Sequence, residues 1–171
     1  MEIAYLSVES MLVPGLLTEG GRLYLQGGSA DRCNYAFVQD PCVSATGGRL
    51  EVKLLFAGSL GKEVGGKCVG TGDNFDVVVR GIQRYGSGEL FLDEMTFAAE
   101  SKVFNLFAPI IESQLRERLR VPLQRTIDRQ LAEWSALGAG RITLQDLDVS
   151  SIQLGEDRLT VQTDYKITLE P

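Results

Sequence analysis

The hydrophobic period of this chain changes twice. From Leu23 onward apolar and polar residues alternate; Leu50, Val52, Leu54 and Phe56 fall on one side and Glu51, Lys53 and Leu55 on the other, between Gly47-Gly48 and Gly58. Successive side chains of a strand point to opposite faces, so a period of two predicts a strand with one buried face. Phe75, Val77 and Val79 repeat the pattern. Tyr85-Gly-Ser-Gly88 supplies residues that tolerate positive φ, which predicts a hairpin joining 75–84 to 89–97. From Phe104 to Trp134 the period lengthens. Phe104, Phe107, Ile111, Leu115, Leu119, Leu123, Ile127, Leu131 and Trp134 lie eight steps apart over 30 positions, a mean of about 3.75 residues that predicts one long amphipathic helix over about 102–136. Gly138 and Gly140 mark its end, and two strands follow at 142–154 and 158–169. In the last, Leu159, Val161, Thr163, Tyr165, Ile167 and Leu169 form a dry face, with charged and polar residues between them. Ahead of all this, Ser7, Glu9 and Ser10 predict a short helix that ends by Pro14 or Gly15.

Against 3.6 residues per turn, the helical stripe drifts by about 15° per step, or about 120° end to end. A straight helix on a flat surface could not bury it. The helix must bend, with Pro109 and Pro122 as the places to do so, or the sheet must twist around it. Such a helix would be about 50 Å long, more than the roughly 30–40 Å expected of a compact domain of this size, so an elongated fold is predicted. The outward face carries Glu112, Arg116, Glu117, Arg120, Asp128, Arg129 and Glu133, a mixed-charge solvated surface. With no repeat and no linker, residues 1–171 read as a single α+β domain.

Composition narrows the chemistry. The 171 residues carry a formal net charge of −6 with both signs interspersed, which is not the basic footprint of a nucleic-acid binder. Hydrophobic residues make up 44%, yet no apolar run approaches the roughly 18 residues of a membrane span. Histidine is absent, which removes Ser/His/Asp and Cys/His catalysis and the commonest zinc and haem ligands; no metal or cofactor is expected. Asp93 with Glu94 and Asp146 with Asp148 are candidate carboxylate pairs, but Asp93 and Glu94, as adjacent strand residues, face opposite ways, and carboxylates near a hairpin usually lie in solvent. Gly65-Gly-Lys-Cys-Val-Gly-Thr-Gly72 lacks the spacing of a phosphate-binding loop and reads as a glycine-rich turn leading into a strand. Of the three cysteines, Cys33 and Cys42 flank a segment that begins like a strand and would hold them roughly 30 Å apart, far beyond disulfide reach. A bridge to Cys68 is easier, and Cys33 is favoured over Cys42, which follows Pro41 at an apparent loop entrance. The alternative is three reduced thiols in a cytosolic protein.

The succession from Phe75 through Gly88-Glu-Leu-Phe-Leu-Asp-Glu-Met95, then the amphipathic helix with Pro109 near its start, then the strand pair from Ile142 to Leu169, resembles the tubular lipid-binding (TULIP) superfamily, and within it the small single-domain bacterial lipoproteins. The resemblance covers about residues 45–170. It implies a long, twisted antiparallel sheet rolled as a half-barrel around one long helix, and it brings no catalytic motif. Helix-grip binders also wrap a sheet around a helix, but there the helix closes the chain. The function expected from the resemblance is a periplasmic binding module holding a lipid or other hydrophobic molecule between helix and sheet. The groove would be lined by Phe107, Ile111, Leu115, Leu119, Leu123 and Ile127 of the helix. Facing them would be Leu54, Phe56, Val77, Val79, Phe91, Val161 and Tyr165 of the strands. A leader removed ahead of Met1, with a lipobox, would tether it to a membrane, the outer membrane in such lipoproteins. The competing expectation is a non-enzymatic interaction or scaffold protein of the same fold with a filled core, pairing with itself as a homodimer or with an envelope partner.

Overall fold

The structure, a computed structural model, describes residues 2–136 and 141–170, except for the side chains of Gln130, Leu131, Trp134, residues 141–147, Tyr165, Ile167, Leu169 and Glu170. The chain runs β1 (Glu2–Ala4), α1 (Tyr5–Leu16), β2 (Arg22–Gln26), β3 (Asn34–Thr46), β4 (Arg49–Val64), β5 (Lys67–Gly86), β6 (Glu89–Ala99), α2 (Phe104–Arg118), β7 (Arg120–Val121), α3 (Leu123–Trp134), β8 (Arg141–Leu154) and β9 (Arg158–Glu170). Strands β2 to β7 form one antiparallel sheet in chain order, and β1-β9-β8 form a second. The expected strands at 142–154 and 158–169 are thus present, paired with each other; the glycines 138 and 140 that were to end the helix lie outside the described residues.

Glycine turns set the meander. Gly47-Gly48, Gly65-Gly66 and Ser87-Gly88 each hold two successive residues at φ between 54° and 82°. This is the mirror-image turn whose twist matches that of the strands it joins. The predicted hairpin at Tyr85–Gly88 is there, and the glycine-rich run after Gly65 is a turn followed by a strand. Inward-facing residues of the meander alternate as the sequence suggests: Leu50, Val52, Leu54 and Phe56 on β4 and Phe75, Val77 and Val79 on β5 are all buried.

Bulges curl the sheet: besides one in β2 between Tyr24 and Gln26, there is one in β3 and one in β6. In β3 the register slips between Gln39 and Cys42, with Asp40 at φ 52° and Pro41 beside it. In β6 it slips opposite Gly81, with Glu94 at φ 47°. Each bulge adds a residue to one strand, bends it and increases the local twist. A side chain at Gly81 would lie 2.8 Å from the Asp93 carbonyl oxygen, so the β6 bulge requires glycine opposite it. The curl brings distant strands under the same helix: α2 touches both β2 and β6, and α1 touches both β3 and β7. The sheet is a half-barrel with helices on its concave side.

The single long helix expected over 102–136 does not form. Helical geometry ends at Leu119 (φ −76°, ψ 79°), and Arg120–Val121 run extended beside β6 before α3 begins. Pro122 is the cause, because its ring disfavours helical geometry in the residue before it. The break is well satisfied: Gln124 N donates to Gly88 O at 2.9 Å, and Thr126 N and Oγ1 donate to Pro122 O at 3.3 and 3.2 Å. Pro109, by contrast, stays inside α2. The N-terminal helix is longer than predicted, carries Pro14 within it, and buries Tyr5, Val8, Leu12 and Leu16. Glu9 Oε1 accepts a 2.7 Å hydrogen bond from Val43 N just past the β3 bulge, fixing α1 to that strand.

The two ends of the chain meet. Ile3 pairs with Leu159, Tyr5 N donates to Asp157 O at 3.0 Å, and the Tyr5 hydroxyl donates to Gly155 O at 2.9 Å. Burial, with the Asp157 charge adding to it, pushes the Tyr5 phenol above its ordinary value, so it remains a donor throughout the neutral range. Arg158 bonds Glu2 at 2.9 Å and Asp157 at 2.8 Å, and its hydrogen bond holds the Asp157 carboxyl below the usual carboxylate range.

Cys33 and Cys68 form a disulfide, their Cα atoms 5.2 Å apart, and Cys42 is a free, exposed thiol. Cys42 does not stand at a loop entrance; it lies within β3, opposite Lys53. A stable disulfide belongs to an oxidising compartment and points outside the cytosol. No helix of the described residues is long and apolar enough to cross a membrane. Thiol titration in denaturant without reductant should find one thiol per chain, and three would overturn the bridge. Cys68→Ser, which opens a link across 35 positions, should lower the free energy of unfolding by about 2–4 kcal/mol in a urea titration.

Candidate functional site

The sequence nominates the seam between the helical stripe and the strands facing it, and the fold brings most of those side chains together. Phe107, Ile111 and Leu115 lie one helical turn apart on α2 and point into the concave face of the sheet. Leu119 and Leu123 continue the same line across the Pro122 break, one before it and one after. From the strands come Leu54 and Phe56, Val77 and Val79, and Val161 of β9.

These side chains fill the seam. Phe107, Ile111, Leu115, Leu54, Phe56, Val77, Val79 and Val161 are 0% exposed, and Leu119 and Leu123 are 2% and 1%. A side chain that no water-sized sphere can touch borders no channel wide enough for a hydrocarbon chain. The ring of Phe56 stands 4.7 Å from that of Phe75 and 4.8 Å from that of Phe107, separations typical of packed aromatic pairs. Gly58 makes room for them, since a Cβ there would lie 2.6 Å from Phe56 Cζ and 2.9 Å from Phe107 Cε1. Beside Leu119, a void of about 20 Å³ is lined by Val8, Leu12, Leu50, Val52, Leu90, Leu92 and Val121 among others. That is room for about one water, and its walls are apolar.

One nominated residue lies elsewhere. Phe91 sits on the other face of β6: the inward residues there are Leu90 and Leu92, and the half-buried Phe91 ring packs under the Arg120 guanidinium, 5.2 Å from its centroid. Strict alternation on either side of Phe91 is the reason, and its two apolar neighbours concealed it. Ile127 is partly buried against the same core. The side chain of Tyr165, like those of Leu131 and Trp134 on the stripe, lies outside the described residues.

Among the described residues the larger hollows are open to the surface. One of about 450 Å³ lies at the helix break between Arg22, Arg118, Arg120 and Arg125 and the carboxylates of Glu19, Glu89 and Glu117. Its charges are mixed, and Arg120 is already paired with Glu89 at 3.5 Å. The carboxylates considered for catalysis are likewise engaged separately: Asp93 with Arg84 at 3.7 Å and Glu94 with Arg49 at 3.3 Å. Asp148 is exposed, and the side chain of Asp146 lies outside the described residues. Among the described residues no group of three acidic or cysteine side chains gathers as a metal site would require.

A different feature had no signal in the alternation alone. β4 and β5 outrun their neighbours: β3 pairs with β4 only as far as Leu60, and β6 pairs with β5 only from Val77. Residues 62–74 are exposed, including Val64 and Val69, each 63% accessible. The Cys33–Cys68 bridge ties this two-stranded arm back to the segment before β3. Its cue in the sequence is the long spacing between turns, Gly47-Gly48 to Gly65-Gly66 to Ser87-Gly88, which exceeds what the core can cover.

Comparison with protein families, with characterised proteins and with solved structures gave no match for this chain. Its reading therefore rests on its own packing. Leu119→Ala, which enlarges an existing void in a closed core, should cost about 2–5 kcal/mol by urea denaturation. Gly58→Ala, which forces a methyl group between two buried rings, should cost about 1–3 kcal/mol by the same measurement.

Proposed function

We propose that this protein is an exported, non-enzymatic interaction module of the envelope, related in architecture to the tubular lipid-binding proteins but with its half-barrel filled by its own side chains. One observation carries the reading: the residues that would line a ligand groove are inaccessible because they pack against one another. Binding sites for hydrophobic ligands are concave spaces of roughly 300–1,000 Å³ lined by apolar groups, and among the described residues the void beside Leu119 at this seam is about 20 Å³. The disulfide supports an oxidising compartment, and the periplasm is the one that the architecture suggests. The lack of histidine and the separate pairing of the acidic residues support a role without catalysis. What such a protein offers to others is its surface, and the β4–β5 arm is the part of the surface that its own core does not use.

Native mass spectrometry of the purified protein, with organic extraction of a parallel sample, tests this. The expected result is the mass of the bare disulfide-bonded chain and no stoichiometric lipid. A bound acyl lipid at one per chain would instead establish the ligand-binding reading.

A further inference from the structure

We infer that the open edge of the β4–β5 arm pairs antiparallel with the same edge of a second copy of this chain. The inference rests on the interaction-module reading and names its surface. β5 is 20 residues long, and its inner edge pairs with β4 down to Val64↔Lys67. Its outer edge meets β6 only from Val77, so Lys67–Asp76 has no strand beside it. In an antiparallel ladder half of a strand's N–H and C=O groups point to each side, and an open edge aims a row of them outward. Such edges are usually blunted by proline, a bulge or a covering segment. Lys67–Asp76 has neither proline nor bulge, and among the described residues the side-chain contacts from beyond the arm's outer edge fall at its base, Ser101 Oγ on Asp73 Oδ2 at 2.8 Å and the Phe104 ring edge-on to Phe75 with centroids 6.1 Å apart.

The side chains select the occupant. An antiparallel two-fold axis through Gly70 sets Val69 of one copy opposite Thr71 of the other, Cys68 opposite Gly72, and Lys67 opposite Asp73. Opposite charges then face each other twice. A slip of one residue in either direction puts Lys67 against Gly72 or Asn74, and the match is lost. Glycines at 70 and 72 serve the arm itself, since a Cβ at either would run into the β4 backbone at Leu60–Gly61 or Gly58. Lys67, Val69 and Asp73 share the face of Phe75 and Val77, the inner face of the sheet beyond its helical cover. Pairing two arms there shields Val69, now 63% exposed, from water.

Sedimentation equilibrium at low salt over the micromolar range tests the pairing. Wild type should pass from monomer to dimer as concentration rises, with slowed hydrogen exchange at the amides of residues 69–71 in the dimer. Lys67→Asp and Asp73→Lys should each weaken the dimer by about tenfold, and the two together in one chain should restore it. Both residues are exposed; circular dichroism and the thiol count check the fold. Should Asp73→Lys disturb the Ser101 contact, Asp73→Asn keeps an acceptor there and should give a smaller loss. A wild type that stays monomeric, single variants that dimerise as tightly as wild type, or a double variant that fails to recover would each overturn the inference. A lipid-free monomer refutes the pairing and leaves the interaction-module reading standing. A co-purifying lipid refutes that reading, while the charge reversals still decide the pairing.

Discussion

A sheet that must place its first and fifth strands under one helix has to bend, and bending a strand disturbs its alternation. That constraint governs this molecule. The bulge at Asp40-Pro41 shifts the inward set of β3 from Ala36 and Val38 to Val43, and the bulge at Glu94 shifts that of β6 from Leu90 and Leu92 to Met95. Had either strand kept its phase, polar residues would have turned into the core after the bend. The curl also explains why the inward stripe of α2, Phe107, Ile111 and Leu115, is so completely buried. Strands on two sides of it supply the walls, and Phe107 is surrounded without a second helical layer.

Closure of the concave side depends equally on interrupting the helix. A rod continuing through Leu119 would have carried its apolar stripe away from the sheet by its own drift. Breaking at Pro122 resets the direction, and Leu119, Val121 and Leu123 all remain buried. The two-residue strand gained there pairs along β6, so the interruption covers part of an edge that would otherwise lie open. Each fully buried leucine, valine or phenylalanine contributes on the order of 1.5–3 kcal/mol relative to exposure. A half-barrel left hollow would forgo much of that, which argues physically for filling the interior where no ligand is resident.

Much of this was legible in the residues. The alternations of β4, of the far half of β5 and of β9 and the hairpin at Tyr85–Gly88 follow from local pattern; reach excludes a Cys33–Cys42 bridge, but the choice of Cys33 over Cys42 for Cys68 rests on a loop entrance that is in fact strand β3. The stripe from Phe104 through Leu123 was read correctly as apolar and covered; what it could not reveal was whether the space opposite was filled. Volume is decided by residues distant in sequence, such as Val8 and Leu12 of α1. The helix break was hidden because Leu119 and Leu123 keep helical spacing across it, although Pro122 and the mean step above 3.6 were its traces. The course of β3 was obscured for the converse reason: Asp40-Pro41 resembles a loop, and in the sheet it is a bulge. The three-residue strand at Glu2–Ala4 had no local signature at all, since only its partner 156 positions away makes it a strand.

That last pairing bears on how the molecule comes into being. A chain emerges from the ribosome, or from a secretion channel, with its first residues leading. Here β1 has nothing to pair with until β9, 156 positions later, has arrived. During that interval α1 presents Val8, Leu12 and Leu16 without their eventual cover, while the meander from Arg22 to Ala99 can already assemble through its tight turns. Non-local closures of this kind are the slow steps of folding, and unburied apolar segments are what holding chaperones bind. The topology therefore favours assembly of the local meander ahead of the long-range closure of β1 on β9.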